Sequence, residues 1–138
     1  MNDKVYVFSK EEFMMLAAAS GIRQMYCFSL NIDADEQSAI FAMQELVKKG
    51  CLLSVNGKFE VQEPIAELFL QMKDAKTTID VHKRSGKKCI IYIGECGVKV
   101  SVSERREGML QIQKLMLGEI WEHLKEEGWI PEDKEELH

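Results

Sequence analysis

A chain of 138 residues and 15.9 kDa, 46% apolar and 30% charged, has the composition of an ordinary soluble globule, long enough to bury a core without a metal or disulfide staple. Its longest uninterrupted apolar run, Phe13 to Ala19, is far short of the ~20 residues that cross a bilayer, which excludes a membrane-spanning helix. The net charge of −5 is unevenly placed: Glu119 to Glu136 holds eight acids against Lys125 and Lys134, so the remainder is close to neutral and has no basic stripe of the kind duplex binding needs.

In chain order, Val5-Tyr6-Val7-Phe8 is β-branched and aromatic, a short strand. Ser9-Lys10-Glu11-Glu12 is a capping box, in which the Ser9 hydroxyl takes an orphan amide while Glu12 reaches back. The helix it opens, about 10–19, is apolar around most of its circumference and so is expected between layers, with Gly21 ending it. Residues 22–32 fit a short helix or an extended piece. Asp33-Ala34-Asp35-Glu36 starts a second helix, about 34–49, closed by Gly50. Its Ala39, Ile40, Ala42, Met43, Leu46 and Val47 share one broad side at 100° per residue. Asn56-Gly57 then closes a two-residue hairpin between 51–55 and 58–62, because Asn and Gly accept the positive φ angles of a type I′ turn. Pro64 leads a helix over 64–75, with Ile65, Leu68, Phe69 and Met72 at core spacing.

Two capped helices followed by the Asn56-Gly57 hairpin resemble a winged helix-turn-helix domain over residues 10–62. The resemblance implies that 22–32 supplies the middle helix and that 34–49 is the helix other members lay in the major groove.

From Thr78 the period changes from 3.6 to 2. Ile79 and Val81, then Cys89, Ile91 and Ile93, then Val98, Val100 and Val102, then Leu110 and Ile112 alternate with their neighbours across Gly-bearing separators. This predicts a four-stranded antiparallel meander with one apolar face, covered by a last helix of about 115–127 through Leu117, Ile120, Trp121 and Leu124. His82, Tyr92, Lys99, Ser101 and Gln111 are expected on the outer face around Ile90, either solvated or forming one side of a homodimer. The fold class is therefore α+β: a winged-helix-like half at 1–76 packed against a meander plus terminal helix at 77–138.

No motif names a chemistry. There is no G-x-S-x-G, phosphate loop or dinucleotide fingerprint, so no catalytic residue and no cofactor are assigned. Cys27, Cys51, Cys89 and Cys96 form no C-x-x-C, and Glu119, Glu122 and His123 lack a second His one turn away, so no metal is assigned and reduced thiols are expected. Lys83, Arg84, Lys87 and Lys88 read as a solvated hairpin tip, and His82 beside Asp80 as a surface ion pair.

The side of helix 34–49 opposite its apolar residues carries Gln37, Phe41, Gln44, Glu45 and Lys48. An aromatic pointing away from its own core is either covered by another part of the same chain or marks a contact, with a protein or with nucleic acid. The first turn carries Asp33, Asp35 and Glu36, which suit the helix dipole and repel phosphate. Gln37, Phe41, Gln44 and Lys48 are thus the expected partner-binding residues, and the expected partner is another protein, with DNA disfavoured and no membrane involved. Taken end to end, Tyr6-Val7-Phe8-Ser9, Thr78-Ile79-Asp80-Val81, Ile90-Ile91-Tyr92-Ile93 and Glu119 to Leu124 resemble the EspG-type chaperones of type VII (ESX) secretion. That likeness implies a cytosolic partner-binding role and carries over no substrate-binding residue. With no apolar signal core behind Met1-Asn2-Asp3-Lys4, the expected location is the cytoplasm. The expected function is a non-catalytic adaptor or secretion-chaperone-like module; the alternative is a winged-helix DNA-binding regulator.

Overall fold

The computed structural model describes residues 5–22, 36–94, 99–106, 108–115 and 118–130. Within them the order is β1 (Val5–Ser9), α1 (Lys10–Ala19), α2 (Glu36–Lys48), β2 (Leu52–Val55), β3 (Lys58–Val61), α3 (Ile65–Lys73), β4 (Thr77–His82), β5 (Lys88–Ile93), β6 (Lys99–Arg106), β7 (Met109–Leu115) and α4 (Ile120–Glu126). The fold is α+β, with the five-stranded antiparallel sheet β1-β7-β6-β5-β4 and the separate hairpin β2-β3. The 22–32 segment beyond Ile22, the Asp33 cap, Val98, Leu117 and Cys96 lie outside the described residues.

Local chemistry sets the first elements. Ser9 Oγ accepts from the Glu12 amide at 3.1 Å and Glu12 Oε1 accepts from the Ser9 amide at 2.9 Å, so both halves of the capping box form. Glu12 is itself buried, and its carboxylate takes two hydrogen bonds from Lys49 Nζ, at 2.9 and 3.1 Å. One acid therefore fixes the start of α1 and the end of α2 together. At the hairpin, Asn56 and Gly57 both take positive φ, 51° and 80°, which lets Leu52–Val55 fold back on Lys58–Val61 without a longer loop.

The sheet departs from expectation in three ways. First, it has five strands rather than four. Tyr6 and Phe8 lie opposite Ile112 and Leu110 and face the same core, so the N-terminal strand extends the sheet of the second half. Secondly, both faces are covered. Ile90 pairs with Val102 and Tyr92 with Val100, so these four join one face with Leu110, Ile112 and Phe8, under Phe13, Leu16, Leu68 and Phe69 of α1 and α3. Cys89 and Ile91 lie opposite Ser103 and Ser101 on the other face, which meets α4 through Leu124 and, just beyond, Trp129. Consequently Ile90, Tyr92, Lys99, Ser101 and Gln111 are all buried, and of the residues expected on an outer face only His82 is exposed. The parity of β5 explains the error: both of its faces are apolar, so alternation alone does not choose the inner one.

Thirdly, α4 starts at Ile120 rather than near 115, because the chain stays extended through Leu115 and Gly118 sits at φ 82°, which no helix continues through. Trp121, expected in the packing, is 66% exposed. In α2 only Ala42 and Leu46 are fully buried, while Ile40 and Val47 at the edge of the predicted apolar side are exposed.

The core rests on the ring pair Phe13–Phe69, with centroids 5.2 Å apart, joining α1 to α3 above the sheet. Truncating the fully buried Phe13 to Ala removes that contact and leaves a cavity between layers. The expected loss of unfolding free energy is about 3–5 kcal/mol, measured by urea titration.

Candidate functional site

Residues four, three and four apart on a helix lie on one stripe, and Gln37, Phe41, Gln44 and Lys48 form such a stripe along α2. All four are exposed, and Phe41 is 62% so. The stripe exists because α2 is anchored on the opposite side by a narrow seam, Ala42 and Leu46, and by the Glu12–Lys49 pair at its end. Lys48 makes an i,i+3 pair with Glu45 at 3.5 Å, an exposed contact of little energetic weight.

Beside the stripe, a cleft of about 410 Å³ opens between the starts of α1 and α2. Gln37, Ser38, Phe41 and Ala42 line one side, and Ser9, Glu11 and Glu12 the other. Gln37 and Phe41 thus take part in a concave site, whereas Gln44 and Lys48 lie further along the helix outside it. Among the described residues the charged groups lining the cleft are Glu11 and Glu12, the latter paired with Lys49. The contribution of α1 was not visible in the sequence. The capping box announces Glu11 and Glu12 in a first turn, but only the packing of α1 on α2 sets them against Phe41.

The second constellation is buried. Ser101 Oγ on β6 lies 2.9 Å from His123 Nε2 on α4 and 3.5 Å from Cys89 Sγ on β5. A serine within hydrogen-bond reach of an imidazole is the geometry of an activated nucleophile. Here, however, Ser101 is 1% and His123 6% exposed, so no substrate reaches the pair. Its role is to satisfy polar groups where α4 covers the more polar sheet face. Burial pushes the Cys89 thiol up to about 11, only partly offset by its hydrogen bond to Ser101, so this sulfur stays protonated and unreactive. Burial also raises the Cys51 thiol, against the nearby Lys49 charge. No spacing rule links positions 89, 101 and 123; the strand register and the docking of α4 bring them together.

Two cations of the β4–β5 turn make contacts while Arg84 stays exposed. Lys83 Nζ sits 4.5 Å from the Trp129 ring centroid, and Lys87 Nζ donates to the Arg105 carbonyl at 2.8 Å, placing this turn beside the β6–β7 turn. Asp80 and His82 lie 3.4 Å apart on β4, with the imidazole exposed. Among the described residues, no three His, Cys, Asp or Glu side chains converge to hold a metal ion, and no helix is long and apolar enough to cross a membrane. Comparison with protein-family models and with curated proteins finds no match.

The buried histidine carries a pH signature. Burial holds His123 below the ordinary 6.5, opposed by the nearby Glu127, Glu126 and Glu119 charges. A base whose folded pKa is depressed binds its proton more readily in the unfolded chain. Its contribution to stability is therefore full above about pH 6.5 and declines as pH falls from there through the folded pKa. Urea titrations of the wild type and of His123→Gln on either side of that value check this. The variant should be less stable near neutrality and should show a shallower loss on acidification.

Proposed function

We propose that this chain is a non-catalytic cytoplasmic module that binds another protein, an adaptor or secretion-chaperone-like component, and that Gln37, Phe41, Gln44 and Lys48 of α2 form its contact. The carrying observation is Phe41: an aromatic ring 62% exposed at the edge of a cleft it helps to line. Aromatic side chains of this kind anchor protein contacts because they bury a large area at the cost of few rotatable bonds. The neighbouring cleft receives a side chain of the partner, and Glu11 selects one that carries a hydrogen-bond donor or a positive charge. The order of α1, α2 and the β2-β3 hairpin supports a winged-helix-like first half, and the carboxylates at the cleft support its use on polypeptide rather than on phosphate.

A winged-helix DNA-binding reading draws on one observation, the gathering of Lys83, Arg84 and Lys87 beside Arg105 at adjacent turns of the sheet. Those cations lie on the second half of the chain, and the described residues lining the cleft at the start of α2 include none.

Phe41→Ser separates a contact residue from a structural one. Because the ring is exposed, the unfolding free energy should stay within about 0.5 kcal/mol of wild type. A photo-crosslinking residue in place of Gln44 should give a covalent adduct with a polypeptide in the producing cells, which Phe41→Ser abolishes and the same probe at Lys58 does not reproduce. Adducts with nucleic acid, adducts with this chain alone, or equal yields from both positions would overturn the reading.

A further inference from the structure

A second concave surface lies between the end of α1, the strand β3 and the outer side of α3. It is a groove of about 520 Å³, and its lining includes Ser20, Phe59, Glu60, Glu63, Glu67 and Leu70. The set shares no residue with the cleft beside Phe41. Phe59 is 41% exposed and Leu70 50%, so two large apolar side chains face water across the same groove. Around them stand three carboxylates, and among the described residues every charged group of the lining is an acid. None of the three makes an ion pair among the described residues, whereas Glu12, Glu45, Glu104 and Glu127 each do. Lys73 reaches toward Gly21 beyond the end of α1 and is not part of the lining.

Two exposed apolar side chains inside a concave rim of unpaired acids describe a binding surface rather than a solvated one. From them we infer that this groove docks a basic amphipathic helix of a partner protein, with its apolar stripe on Phe59 and Leu70 and its Lys or Arg side chains on Glu60, Glu63 and Glu67. A helix is the occupant because Glu67, Leu70 and Gln71 line one side of α3 over consecutive turns, and a second helix lying along that side meets them at its own i, i+3 and i+4 positions. The surface stands apart from the α2 stripe and does not rest on it. A module with both would bridge two polypeptides.

The probe is a fluorescein-labelled synthetic helix of Leu, Lys and Ala, with Leu in one stripe flanked by Lys, titrated into the full chain and followed by anisotropy. Its twin, with Glu at every Lys, should not bind. Glu63→Gln with Glu67→Gln should weaken binding at least about five-fold, as should Leu70→Ser, which is half-exposed and keeps the far-UV circular dichroism of the wild type. Removing the same charge elsewhere, by Glu119→Gln with Glu122→Gln on the other side of the sheet, should leave binding unchanged, and so should Phe41→Ser. Several outcomes would overturn the proposal: no binding of the Lys helix; equal binding of the Glu twin; equal loss on removing Glu119 and Glu122, which would mean diffuse attraction; or loss in Phe41→Ser, which would place the peptide on α2. A dimer of the chain dissociated by Leu70→Ser would assign the groove to a second copy and overturn it as well.

Discussion

The architecture follows from a sheet that must be buried on both faces. In β5, Ile90 and Tyr92 point one way and Cys89 and Ile91 the other, and all four are buried. A strand of that kind has no solvent side, so the chain has to supply two separate covers. The first comes from residues between β1 and β4, in α1 and α3, whose Phe13, Leu16, Leu68 and Phe69 close over Tyr92, Val100, Val102 and Ile112. The second comes from residues after it, Leu124 and Trp129. The N-terminal strand is tied into the same sheet through β7, and Lys10 binds Glu104 of β6 at 3.5 Å. A border near residue 76 is therefore a change of periodicity in the sequence, while the apolar core runs across it.

The two covers differ in chemistry. The face toward α1 and α3 is apolar throughout its centre. The face toward α4 includes Ser101, Ser103, Gln111 and Lys99, all buried, and such groups are expensive to bury unpaired. His123 is the helix residue that answers Ser101, and Cys89 completes the line from the strand side. The short α4 thus contributes one strong apolar contact, Leu124, and one polar tie. Lys83 over Trp129 closes the edge of the same layer, which accounts for a cation of the hairpin tip being held against a buried ring.

Much of the local structure was legible because each signal is short-range. Ser9 to Glu12 and Asn56-Gly57 act through their own backbone within a few residues, and they appear where expected. The stripe of α2 was legible for a similar reason, since helical geometry alone fixes which residues oppose Ala42 and Leu46. Relations between elements were not. Choosing the inner face of β5 needs its register with β6, which alternation in a doubly apolar strand does not encode. Trp121 and Trp129 show the same limit at the C-terminal end: the periodic position of Trp121 suggested packing, yet Trp129, outside the helix, is the ring that fills the layer. The cleft beside Phe41 and the groove beside Leu70 each combine residues from separate elements, so neither could be read from one segment.

The placement of charge follows from where cover runs out. Phe41 on α2, and Phe59 with Leu70 across the α1–β3–α3 groove, are large apolar side chains left outside the core, and exposed apolar surface invites self-association. In both places the unpaired charges among the described lining residues are carboxylates: Glu11 at the cleft, where Glu12 is closed in its pair with Lys49, and Glu60, Glu63 and Glu67 at the groove. Two copies meeting through either surface would bring acids of like sign together, which works against homotypic contact and against polyanions alike. A polypeptide docking there, as proposed above, would have to offer an apolar side chain with a neighbouring positive charge. Like-charge rims around open apolar surfaces therefore oppose self-association of the chain through electrostatic repulsion.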